Sequence, residues 1–144
     1  MTQFNNFDDA QANAYLDERG GRKGYLTTIG KLGYPHTVPL TYFRVGNDVY
    51  VPGRRRSQRL ANIARDPKVS FLVEDGESMD AYRGLLIQGD ATVVDDDAAK
   101  LRIARDAARE RGTPEPDWPT EPPRGTLIRI ARRRITSWFP NPKR

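Results

Sequence analysis

Four arginines fall within six residues in the segment YVPGRRRSQRLANIARDP, at positions 54, 55, 56 and 59. They lie between a run with strand character, ending near Pro52-Gly53, and a run with helical spacing that opens at Ser57. Arginine forks, free backbone N–H groups and a helix N-terminus are the components of a phosphate site. The same residues are also compatible with a solvated basic turn, since charge runs usually face water. Other chemistry is scarce. There is no cysteine, which removes disulfides, thiolate metal ligands and a cysteine nucleophile. His36 is the only histidine, with no HExxH spacing and no evident serine partner for a triad. It reads as a surface residue. A GxGxxG dinucleotide motif is absent.

The chain has 144 residues and a net charge of +5, from 24 basic and 19 acidic side chains. That length suits a single domain spanning 1–144. No apolar run approaches the roughly 20 residues of a membrane span. The N-terminus lacks the basic flank and apolar core of a signal peptide, so a cytoplasmic location is expected. A modest positive charge permits nucleic-acid binding, but neither a recognition helix nor an aromatic-interleaved basic sheet is evident.

The elements that must position the arginines follow from pattern. Asp8–Arg19 reads as a capped helix with Ala12, Tyr15 and Leu16 on its apolar stripe. Tyr25–Ile29 is a strand, Gly30–Gly33 a turn, and His36–Phe43 a second strand in which Pro39 marks an edge, a bulge or a ligand-facing position. Gly46-Asn47-Asp48 turns the chain into a third strand, Val49–Pro52. Ser57 caps a helix to Asp66 with Leu60, Ile63 and Ala64 inward, and Pro67 ends it. Strands follow at Lys68–Glu74 and Tyr82–Val94, where Gly84 and Gly89 suggest bends. Asp95–Arg111 is a helix with acids first and arginines later, which suits the helix dipole. A proline-rich loop leads to Gly125–Trp138, one bent strand or a pair, and then an irregular tail. Hairpin-sized connections make the sheet mainly antiparallel, so the expected fold is mainly β, a small antiparallel barrel with peripheral helices.

Four stretches in order, GYLTTIGKLGYPHTVPLTYF, VYVPGRRRSQRLANIARDPKVSFLVE, YRGLLIQGDATVV and RGTLIRIARRRITSW, resemble the split β-barrel proteins of the pyridoxamine-phosphate-oxidase-like superfamily. More narrowly, they are similar to its flavin/deazaflavin-dependent oxidoreductases. The resemblance implies a dimeric antiparallel split β-barrel: a homodimer with two cofactor sites at the subunit interface. The cofactor it implies is FMN or the deazaflavin coenzyme F420. The matching phosphate ligand is Arg59, with Ser57 beside it and Arg54 and Arg56 as further candidates; the excess of arginine tilts the choice towards F420, whose anionic tail FMN lacks. If the turn stays extended, alternation directs Arg55 to solvent. The ring site matches Val38, Pro39, Leu40 and Thr41 with Pro52 and Gly53, although a plain edge strand and turn explains Pro39 and Gly53 equally well. Tyr82 matches an aromatic that reaches the other subunit's cofactor. The resemblance implies hydride transfer to an organic acceptor without a dedicated histidine base; Tyr42 or water could supply a proton. The alternative is a non-enzymatic carrier of flavin, deazaflavin or tetrapyrrole on the same fold.

Overall fold

The computed structural model describes residues 7–19 and 23–140, together with the backbone of 2–4. Eight strands form one antiparallel sheet: β1 (Thr2–Phe4), β2 (Gly24–Ile29), β3 (Pro35–Leu40), β4 (Phe43–Val45), β5 (Asp48–Pro52), β6 (Lys68–Asp75), β7 (Arg83–Val94) and β8 (Leu127–Pro140). Seven of them run in the order β3-β2-β6-β7-β8-β5-β4, and β1 pairs with the end of β8. Helices α1 (Asp9–Glu18), α2 (Gln58–Arg65) and α3 (Asp97–Glu110) lie at the periphery. The sheet curls into a split barrel whose free edges are β3 and β4.

The split falls inside the expected second strand. Instead of running from His36 to Phe43, the chain leaves one edge at Leu40 and joins the other at Phe43. Tyr42 is the reason. Its ring is buried edge-on against Phe71 at 5.5 Å, and its hydroxyl donates to the Leu16 carbonyl at 2.7 Å. A side chain drawn into the core at that point carries the backbone across the open side of the barrel.

Alternation fills the interior. Leu26, Phe71, Val73, Leu85, Ile87, Ile128 and Ile130 are wholly or almost wholly buried, as expected for strands with one face on the core. β7 and β8 pair along nearly their whole lengths, from Gly84↔Trp138 to Val94↔Leu127, with a bulge between Gln88 and Gly89. A Cβ at Gly89 would lie 2.1 Å from the Ala131 carbonyl oxygen, so the bulge needs glycine there. The bulge also breaks the simple alternation that an unbroken strand would give Arg132, Arg133 and Arg134. Arg132 points inward with a side chain only 5% exposed, bonded to Asn13 and Asp9, whereas Arg134 faces solvent.

Further details differ from the sequence expectation. The last strand is single and continuous, and it includes Phe139 and Pro140 from the expected tail because β1 extends the pairing there. α3 starts at Asp97, with the Asp96 carboxylate accepting the Ala99 N–H at 2.8 Å. In α2 Ile63 and Leu60 face the core as expected, but the third inward residue is Asn62, while Ala64 is exposed. Among the described residues no helix is long and apolar enough to cross a membrane.

Candidate functional site

The arginine turn joins β5 to α2. Gly53 is buried, and its N–H donates to the Thr126 carbonyl at 2.6 Å. A Cβ on Gly53 would sit 3.0 Å from that oxygen and 2.9 Å from Thr126 Cγ2, so the two backbones meet only because residue 53 is glycine. Ser57 caps α2: its Oγ donates to the Gly53 carbonyl at 2.8 Å and accepts from Leu60 N–H at 3.4 Å. Its own N–H reaches the Arg54 carbonyl at 3.1 Å.

Between these anchors the backbone is strained. Arg54 and Arg56 both lie in the left-handed region, with φ of 37° and 61°. For a residue with a Cβ this conformation costs about 1–2 kcal/mol. The turn is therefore not extended, and the alternation expected to separate Arg55 from its neighbours does not operate: all three side chains are exposed. Arg55 meets the Asp95 carboxylate at 3.7 Å.

Arg59, in the first turn of α2, is half-buried and spends its Nε–H on the Pro52 carbonyl at 3.0 Å. Burial lowers its pKa below the usual arginine value, and the neighbouring positive charge of Arg54 lowers it further. No carboxylate offsets either influence. The charges of Arg54 and Arg59 thus act on one another at the start of α2, and among the described residues neither is paired with a carboxylate, a local charge arrangement that favours an anion.

α2 is held in place from beneath. The wholly buried Asn62 side chain donates to Thr28 Oγ1 at 2.9 Å and accepts from Gln58 Nε2 at 2.8 Å and Arg65 Nη2 at 3.0 Å. Arg65 also donates to the Ile29 carbonyl. These contacts dock the helix on β2 and fix the direction in which Arg59 projects. Asn62 was missed as a site-supporting residue in the sequence reading. The signal available was an asparagine inside an apolar helix stripe.

The other expected positions divide. Val38 and Leu40 turn inward against the core, whereas Pro39 and Thr41 are exposed. The register Phe43↔Tyr50 brings the chain into β4 at the Pro52 end of β5, so Thr41 approaches the same end of the barrel as the arginine turn. Pro52, Gly53, Arg54, Arg56, Ser57 and Arg59 are contiguous there. Tyr82 is not. It precedes β7 at Arg83, while the arginine turn lies near Val94, at the other end of the strand, roughly 35 Å away. Within one chain Tyr82 cannot share a site with the arginines. His36 is half-buried on the inner face opposite Thr28, not a surface residue, and its Nδ1 has no partner.

Two clefts open on the surface. One, of about 560 Å³, lies between the C-terminal ends of α1 and α3 and is crossed by the Arg44–Asp17 pair at 2.7 Å. The other, of about 350 Å³, lies against Arg55, Asp95, Lys100 and residues 122–125. Among the described residues no group of three His, Cys, Asp or Glu is placed to hold a metal ion.

The model of the pyridoxamine 5'-phosphate oxidase family matches residues 18–139, which takes in every strand from β2 to β7, all of α2 and α3, and β8 up to Phe139. The chain belongs to that family. A family relative, the 5a,11a-dehydrotetracycline/5a,11a-dehydrooxytetracycline reductase of Streptomyces rimosus, is 30% identical over 131 residues, covering 86% of this chain and 78% of the relative. Among solved structures, a conserved hypothetical protein from Mycobacterium tuberculosis is 28% identical with a TM-score of 0.73, over 93% of this chain and 86% of that one. An FAD-binding protein from Mesorhizobium loti is 16% identical with a TM-score of 0.70, over 98% and 99%, a likeness of fold. The matched span of the family model contains the arginine turn and its supporting residues Asn62 and Thr126.

Proposed function

We propose that this protein is a dimeric cytoplasmic oxidoreductase that holds the phosphate of FMN or of the deazaflavin coenzyme F420 on the arginine turn and serves hydride transfer to an organic acceptor. The observation that carries the reading is the mutual influence of the Arg59 and Arg54 charges, neither paired with a carboxylate among the described residues, on a strained turn at a helix N-terminus. The family supports it, and so does the reductase among its members. FAD binding by a protein of the same fold adds a flavin-type precedent.

Each residue has a task in this reading. Arg59 and Arg54 neutralise the phosphate, with Arg56 beside them, and Ser57 keeps the end of α2 aimed at it. Pro52 and Gly53 leave a side-chain-poor wall next to the turn. Pro39 and Thr41 face outward for the ring, and Val38 and Leu40 back them from the core. The bound cofactor supplies the redox chemistry. Multiple unpaired arginines favour F420, whose tail carries further carboxylates. The outer face of the sheet supports the dimer: Tyr25, Leu72, Leu86 and Trp138 alternate with the core residues, so they lie on the face away from the core, and they are only half-buried within one chain. A partner seated there would bring its own Tyr82 to this chain's ring site.

Titration of the purified protein with FMN and with F420 tests the reading. Dissociation constants in the micromolar range are expected for one of them, and no binding of either below millimolar concentration would overturn it. Tight binding without turnover across quinones, enones and tetrapyrroles would point instead to a carrier.

A further inference from the structure

The smaller cleft borders a set of contacts that phosphate binding does not itself use. Thr126 is 4% exposed and works in two directions. Its carbonyl takes the Gly53 N–H at 2.6 Å, and its hydroxyl donates to Asp95 Oδ1 at 3.0 Å. The other oxygen of Asp95 meets Arg55 Nη2 at 3.7 Å. The start and the middle of the arginine turn therefore close on one residue pair. Behind that pair, the buried Lys100 ammonium donates to the Gly125 carbonyl at 2.7 Å and pairs with Asp97 at 3.3 Å, which ties residue 125 to the first turn of α3.

Arg55 sits between the two left-handed residues. Strained backbone of this kind persists only where the surroundings over-determine it. Here the determinants are the Gly53–Thr126 bond, the Ser57–Arg54 bond and the Asp95 contact. The Arg55–Asp95 pair is well exposed and would be weak alone, but the Thr126 hydroxyl holds the carboxylate, so Thr126, Asp95 and Arg55 act as one unit. The hydroxyl of the buried Thr126, which fixes Asp95, matters more.

Granting the cofactor reading above, we infer that Thr126 and Asp95 are positioning residues for the phosphate-binding turn. They act by holding the Gly53–Ser57 backbone in the shape that presents Arg54 and Arg56. Their effect is on recognition of the phosphate and not on the ring.

The test compares phosphate-bearing and phosphate-free ligands: FMN against riboflavin, and F420 against its phosphate-free deazaflavin chromophore. Thr126→Val keeps the shape and the carbonyl but removes the hydroxyl. It is expected to weaken binding of the phosphate form about tenfold, the equivalent of one hydrogen bond, and to leave the phosphate-free form unchanged. Thr126→Ser is expected to restore the wild-type preference. Asp95→Ala, in an exposed loop, is expected to repeat the loss and carries the test if Thr126→Val does not fold. An unchanged phosphate preference in these variants, or an equal loss for both ligands, overturns the inference and leaves the cofactor reading standing. Wild-type protein that binds neither phosphate form overturns the cofactor reading, and the inference with it.

Discussion

At the scale of single residues, stability and the proposed binding oppose each other at the arginine turn. Arg54 and Arg56 occupy backbone conformations that glycine adopts without penalty. Arg54→Gly should therefore raise the denaturant midpoint, by an amount equivalent to up to about 1 kcal/mol, while weakening the cofactor. A mutant that gains stability and loses affinity together would mark the strain as functional. Arg59→Ala should weaken cofactor binding at least tenfold, and Arg59→Lys should recover only part of it, because an ammonium cannot reproduce the fork. An unchanged dissociation constant in Arg59→Ala would remove Arg59 from the site. The arginines themselves were legible in the sequence, as composition and spacing. Their backbone was not, because left-handed φ at a non-glycine residue is imposed by partners distant in sequence, here Thr126 and Asp95.

At the scale of elements, two polar clusters attach helices to the sheet. Asn62 docks α2; replacing it with Ala should cost roughly 1–3 kcal/mol, since it strands the buried Thr28 hydroxyl, and urea unfolding would measure it. The second cluster joins α1 to the ends of β6 and β7. Tyr15 donates to Asp75 at 2.6 Å, and Arg83 bridges Asp75 and Glu18 with Nη2 at 2.8 and 2.9 Å. Burial acts to raise the Asp75 pKa, but hydrogen bonds from Arg83 and Tyr15 and the charges of Arg83 and Arg19 outweigh it and leave the group below its usual value. A carboxylate held low in the folded state stabilises the fold above its unfolded pKa, near 4, and this contribution is lost as pH falls through the folded value. Asp75→Asn should therefore flatten the acid limb of the stability–pH curve below about pH 4, while its stability at neutral pH falls. An acid limb identical to wild type would exclude Asp75 as its source. Most elements were readable from alternation and caps. The break at Thr41-Tyr42 was not, because local pattern continues through it and only the docking of Tyr42 on Phe71 and Leu16 diverts the chain. Nor was β1, a short segment whose pairing depends on the last residues of β8.

For the whole molecule, a mainly β antiparallel barrel followed from hairpin-sized connections and the order of elements, its split form from the family resemblance, and the proposed phosphate end from the arginine cluster. The separation of Tyr82 from that cluster could not be read, since strand order and curl are properties of the complete sheet. It makes the proposed dimer a requirement of the ring site. Leu86→Glu, on the outer face, should yield a folded monomer in sedimentation and abolish cofactor binding together with dimerisation. Wild-type protein that sediments as a monomer yet binds the cofactor at full affinity would show that one chain suffices.

The bond between Gly53 and Thr126 also has a temporal side. Among the described residues β5 joins the main sheet through β8, which follows it in the chain by about 75 residues. Until residues near 126 emerge, the β4–β5 hairpin has no neighbour on its inner side, and the arginine turn lacks the partner that holds its backbone. Non-local pairing of this kind is slow to form, so the arginine turn takes its shape only after β8 has been made and docked. A chain truncated before β8 would carry every arginine of the proposed site without the partner that shapes its backbone, so on the proposed reading cofactor capture reports that β8 has docked.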